Sequence, residues 1–226
     1  MKKILTIIGL AAAASLAGAQ AQTLIGYWNF NGLSITTASA PGSGGVPNSI
    51  ASDSGTGATL TLSGAWSGLV DDFGGSTTNA LNSDIAGASL SLVSNVGNGS
   101  YIQFSFSMTS LNGVSISFAT RGTSTGFNAG QWSYSTNGTS FTDFGSNTAT
   151  TSTSFALASP GTTTGLDNAA TAFLRYTLDG ASSVSGNNRI DNLQITAVPE
   201  PSTWALIGIG AFVMIWNLRR RRALKA

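Results

Sequence analysis

Carboxylates are the side chains through which this chain could do acid–base or metal chemistry. Between residues 22 and 198 there are eight aspartates, at 53, 71, 72, 84, 143, 167, 179 and 191, and the sequence contains neither His nor Cys. That composition excludes a Ser-His-Asp triad, a Cys nucleophile and a zinc centre of Cys and His ligands. Two aspartates could still hydrolyse a glycosidic bond, one protonating the leaving oxygen while the other attacks or activates water. Asp71 and Asp72 are adjacent, and neighbours on a strand point to opposite faces, so they do not make such a pair by themselves. Most of the eight stand beside Gly, Ser or Asn, where an Asp side chain caps a turn through nearby backbone. No catalytic residue is expected.

Three weaker chemistries share the same residues. A structural Ca²⁺ would draw on Asp71, Asp72, Asp143 and Asp191, because a hard cation takes carboxylate and carbonyl oxygens, although no EF-hand or nonapeptide spacing is present. No other cofactor is expected. A glycan could stack on Trp66, Trp132 or Tyr134 if their rings are exposed; burial in a core is the competing use of such rings. Gly122-Thr-Ser-Thr-Gly126 has the spacing of a nucleophile elbow, but without a His nothing takes the serine proton, and a turn is the expected structure.

Charge is sparse and uneven. Seven of the ten basic residues lie at the termini (Lys2, Lys3, Arg219, Arg220, Arg221, Arg222 and Lys225). The body holds only Arg121, Arg175 and Arg189 against its eight aspartates, a balance of −5. Such a body lacks the basic stripe that neutralises phosphates, so no nucleic acid is expected as a partner.

Both ends have the character of addresses. Lys2-Lys3, the apolar run from Ile4 to Leu16 and the small residues that follow have the order of a secretory signal peptide over residues 1–21. Two small-x-small sites overlap there, before Gln20 and before Gln22. At the other end Pro199-Glu200-Pro201 precedes an apolar stretch over 202–218 and then four arginines. As a helix that stretch would span about 26 Å, just enough for a hydrocarbon core. Trp204 and Trp216 would fall at its two interfaces, and the Arg block would stay cytoplasmic. The two prolines are expected to keep Glu200 extended, open and separate from the preceding strand.

Val198 to Arg222 resembles the PEP-CTERM sorting signal, with its Pro-Glu-Pro tripeptide, its Ser-Thr-Trp-Ala-Leu opening of the helix and its terminal Arg block. The resemblance implies an exosortase-type membrane enzyme as the processing partner. It further implies an inner-membrane precursor and a destination at the cell surface or in the extracellular matrix.

Residues 22–197 between these addresses are expected to be all-β. Lys and Glu are absent there, while Thr, Ser, Val, Ile and aromatics dominate. In Tyr101–Met108, Ile102, Phe104, Phe106 and Met108 share one face and Gln103, Ser105 and Ser107 the other. Val114, Ile116 and Phe118 resume the alternation after Asn112-Gly113, so the two segments are expected to pair as a hairpin. Further strands are expected at 24–30, 131–136 and 140–144 around Asn137-Gly138, at 172–178 and at 189–197, with 38–57 as a long loop. About a dozen short strands of this kind pack as an antiparallel two-sheet sandwich. Leu24–Asn31, Trp132–Phe141 and Arg189–Thr196 resemble secreted jelly-roll domains of the concanavalin-like or carbohydrate-binding type, which implies a jelly-roll-like body.

The expectation for the whole is an exported surface or matrix protein with a structural role. A carbohydrate-binding module for the cell surface or an exopolysaccharide is the alternative, and an Asp-dependent glycan hydrolase stands behind both.

Overall fold

The computed structural model describes residues 21–63, 65–200, 210, 212–216 and 220. Gln22–Val198 forms one compact unit built from two antiparallel six-stranded sheets. Sheet A contains β1 (Thr23–Trp28), β4 (Leu69–Asp71), β5 (Leu90–Val93), β7 (Leu111–Gly122), β10 (Ala156–Thr163) and β12 (Asn187–Pro199). Its order is β10-β7-β12-β5-β4, and β1 pairs with the C-terminal half of β12, from Trp28 opposite Leu193 to Thr23 opposite Ala197. Sheet B runs β2 (Ser49–Ala51), β3 (Ala58–Thr61), β6 (Ser100–Phe106), β11 (Ala172–Asp179), β8 (Ala129–Ser135) and β9 (Thr142–Phe144).

The inner faces of the two sheets meet in one apolar core, as strand alternation requires. Ile102, Phe104 and Met108 are fully buried, Phe106 nearly so, and Gln103, Ser105 and Ser107 face away, as the sequence pattern predicts. Aromatic rings cross between the sheets at its centre. Trp132 stacks on Tyr176 at 4.7 Å between centroids, both from sheet B, and Phe118 from sheet A meets each ring at 5.8 and 5.7 Å. Trp28 from β1 reaches Phe104 of β6 edge-on at 5.2 Å.

Three expectations are corrected. The segments 101–108 and 114–118 do not form a hairpin: β6 lies in sheet B and β7 in sheet A, so the chain crosses the sandwich between them. The change of direction comes before Asn112-Gly113, at Ser110, which adopts φ 61°. Asn112 and Gly113 lie inside β7, where the Gly113 N–H donates to Asp167 at 2.7 Å. Alternation identifies a half-buried strand but is blind to which sheet receives it. The 38–57 region is not all loop, since Ser49–Ala51 pairs with β3. Pro199, expected to stand clear of the last strand, is instead its final residue; a proline is tolerated at such a position because no ladder N–H is needed there.

The second Asn-Gly signal fares as expected. Asn137-Gly138 connects β8 to β9 in an antiparallel pair, with Asn137 Oδ1 accepting from the N–H groups of Thr139 and Ser140.

The 202–218 helix falls mostly outside the described residues, as does the 1–21 signal segment. Gly210, Phe212–Trp216 and Arg220 are helical. Among the described residues no helix is long and apolar enough to cross a membrane.

Candidate functional site

The outer faces of the two sheets differ, and each gathers part of the polar chemistry. On sheet A the segment 73–88 lies over the face and is fastened to it by β12. Asn192, fully buried at φ 48°, is the main fastener. Its Nδ2 donates to Ser76 O at 2.7 Å and Thr78 O at 2.9 Å, and its Oδ1 accepts from the Tyr27 hydroxyl at 2.8 Å. Asn tolerates the left-handed conformation better than most side chains, which fits it to this mid-strand position. Asn79 and Gln194 add bonds to Ser117, to Asn192 O and to Asn79 O. The Tyr27 hydroxyl also accepts from Leu81 N, and burial pushes its pKa up to about 12.

Asp191 sits beneath the same segment, 1% exposed. Its carboxylate accepts from Ser76 N at 2.6 Å and Asn192 N at 2.9 Å. Burial nevertheless raises its pKa to about 7, outweighing the two N–H donors that favour the charged form. Gly75 makes this approach possible: a Cβ there would meet Ala86 O, Asp191 Oδ2 at 2.5 Å and Ala88 O at 2.6 Å. Arg189, two residues before Asp191, donates to Gly74 O at 3.0 Å and lies 4.8 Å from the Phe73 ring centroid. Desolvation, and secondarily the nearby Arg121, lowers its pKa.

The candidate calcium ligands are not brought together. Asp71 Oδ1 accepts from Asp72 N and Asp72 Oδ2 from Ile35 N, Asp191 is fastened under segment 73–88, and Asp143 is in β9 of the other sheet. No group of three carboxylates that could hold a metal occurs among the described residues. Asp53, Asp84, Asp167 and Asp179 likewise accept from Asn29 N, Asn29 Nδ2, Gly113 N and Gly180 N. Gly122 ends β7 and leads into a turn closed by Gly126 N donating to Thr123 O, with no helix after it.

The rings singled out for sugar stacking are drawn inward. Trp132 is fully buried and donates from Nε1 to Thr148 Oγ1 at 3.1 Å, and Trp66 is 4% exposed. Tyr134 is half-buried against Phe144.

The outer face of sheet B is where residues with free chemistry remain. Cross-strand pairing places Arg175 of β11 opposite Gln103 of β6 and Ser133 of β8, with Asp143 of β9 next in the same row. The Arg175 guanidinium carbon lies 4.0 Å from the Tyr101 ring centroid and 3.6 Å from that of Phe141, and its Nε donates to Gln103 Oε1 at 2.8 Å. Tyr101 comes from β6, whereas Phe141 is delivered by the β8–β9 turn. Ser105, Thr177, Gln131, Thr59 and Thr61 fill the surrounding outward positions, all half-buried. The sequence does not single out Arg175, Tyr101, Phe141 or Gln103 as a site. The available signal was an Arg on the outward set of a strand in a body with three cations.

The fold is an all-β two-sheet sandwich whose last strand runs into a sorting signal. Residues 197–222 match the PEP-CTERM protein-sorting motif, which marks an exported chain. No curated protein matches the sequence. Among solved structures the chain is similar to the CBM22-1-CBM22-2 tandem domain of Paenibacillus barcinonensis Xyn10C, at 12% identity and TM-score 0.45, covering 82% of this chain and 49% of that one. It is similar to the CBM22-1 xylan-binding domain of the same protein, at 12% identity and TM-score 0.42, covering 81% and 100%. A third is CtCBM11, at 15% identity and TM-score 0.37, covering 82% and 99%. The chain thus spans about half the length of the first of these. Likeness at these scores carries no argument about ligand or activity, and the architecture rests on the strand pairing itself.

Proposed function

We propose that this protein is a component of the cell surface or extracellular matrix that passes through the inner membrane as an anchored precursor. An exosortase-type enzyme processes it at Pro199-Glu200-Pro201, and Arg219, Arg220, Arg221 and Arg222 hold the tail on the cytoplasmic side until then. The body acts structurally rather than as a catalyst. The observation that carries this reading is the match of residues 197–222 to the sorting motif. The engagement of seven aspartates with protein N–H donors supports the non-catalytic part, because a general acid or base must reach its substrate.

The motif begins inside the fold. Ala197 is fully buried in β12 opposite Thr23, so a cut before it would remove a core residue and the partner of Thr23. The retained body therefore extends at least through Ala197. Replacing Pro199-Glu200-Pro201 by three alanines tests the reading: unprocessed protein should accumulate in the inner membrane. Unchanged release into the medium would contradict it.

A further inference from the structure

We propose that the outer face of sheet B binds a carboxylate-bearing polysaccharide, one built of uronic acid residues, with the terminal nitrogens of Arg175 gripping the carboxylate. The proposal goes beyond sorting and does not depend on it.

Three features of Arg175 point to a ligand rather than to a purely internal role. First, two aromatic rings at 3.6 and 4.0 Å and the Nε bond to Gln103 fix the plane of the guanidinium. A long side chain with many rotamers is thus ordered before any ligand arrives. Second, with Nε engaged, the Nη1/Nη2 edge remains as the fork that meets a carboxylate in two parallel hydrogen bonds. No described residue bonds to either of these nitrogens, and neither is among the buried atoms that lack a partner, unlike Arg189 Nε, so neither is fully buried. Third, the fork is not neutralised from within. Asp143 stands two strands along the row, and among the described residues Arg175 makes no ion pair.

The surroundings select the class of molecule. Ser105, Thr177, Thr59 and Thr61 offer uncharged donors and acceptors around the fork, the groups that exchange hydrogen bonds with sugar hydroxyls. The centre of a protein interface is rich in exposed apolar and aromatic surface. The exposed large hydrophobic residues of the body, Leu69, Ile85, Val96, Leu157 and Val184, all lie outside sheet B.

The test titrates the intact chain in detergent with polygalacturonate, dextran sulfate and neutral dextran by calorimetry. The expected result is binding to polygalacturonate, at least tenfold weaker binding to dextran sulfate and none to dextran. Arg175→Lys should weaken polygalacturonate binding at least tenfold, because an ammonium keeps the charge but loses the fork. Gln103→Glu is the second variant. It places a carboxylate on Arg175, should leave the melting temperature unchanged or higher, and should abolish binding. Arg121→Lys, on sheet A, should bind as the parent does. Failure to bind polygalacturonate, equal binding of dextran, equal binding of dextran sulfate, or undiminished binding by either face variant would overturn the proposal.

Discussion

The two outer faces of the sandwich use similar polar side chains for opposite ends. On sheet A, Asn192, Asn79, Gln194 and Asp191 turn their hydrogen bonds onto segment 73–88 and fasten it to the face. On sheet B the corresponding outward row is less engaged: Arg175 is clamped by Tyr101, Phe141 and Gln103, yet none of the described residues bonds to its terminal nitrogens. Buried polar groups must be paired, so the first face gains stability from its side chains. The second gains only preorganisation, which has value when something binds.

The sharpest way to break this comparison is across the thickness of sheet B. Phe104→Ser removes a fully buried ring that touches Trp28 and Trp132, and should destabilise by about 3 to 5 kcal/mol or more in denaturant unfolding. Its neighbour Ser105, on the outer side, should accept Thr within about 0.5 kcal/mol. Equal losses would invalidate the inner and outer assignment of β6.

Next comes the fastened face. Asn192→Ala takes the acceptor from the Tyr27 O–H and the donor from Ser76 O and Thr78 O, and puts Ala in a left-handed conformation. A loss of about 2 to 3 kcal/mol should follow, with faster amide exchange over 73–88. If exchange there is unchanged, Asn192 is not what fastens the segment.

Acid should act on the same face. Asp191 titrates near 7 in the folded protein and near 3.8 when unfolded, so between these values the folded state binds the extra proton. Its contribution is therefore complete below about pH 4 and declines as pH rises toward 7. Melting temperature measured across this range should fall with pH in the parent and lose that slope in Asp191→Asn. A parent curve that parallels the variant would remove the buried carboxylate as its cause.

The smallest stability effect belongs to sheet B. Arg175→Ala forfeits two ring contacts and one hydrogen bond at a half-exposed position, about 1 kcal/mol. A loss as large as that of Asn192→Ala would mean that Arg175 serves the fold as Asn192 does.

Much of the sandwich is legible along the chain because a half-buried strand repeats every two residues. Ile102, Phe104, Phe106 and Met108 declare their face by spacing alone, and Asn137-Gly138 declares its turn. Pairing is less legible, because it depends on partners distant in sequence. The same alternation in β6 and β7 serves two different sheets, and Asn112-Gly113 is absorbed into a strand. The address at 197–222 is legible because a sorting enzyme must recognise it locally. The Arg175 cluster is not, since Tyr101, Gln103, Phe141 and Arg175 span three segments that meet only through the register of β6, β11 and the β8–β9 turn. The tryptophans mislead for a related reason: Trp66 and Trp132 are equally suited to stacking on sugar or on Phe127 and Tyr176, and only the packing chooses.

Intact mass with N- and C-terminal sequencing of the protein recovered from the growth medium tests export and processing together. The account predicts an N-terminus at Gln20 or Gln22 and a C-terminus at or beyond Ala197 that lacks the terminal arginines. Recovery of the complete polypeptide from the cytoplasm, uncut at both extremities and absent from the medium, would contradict it.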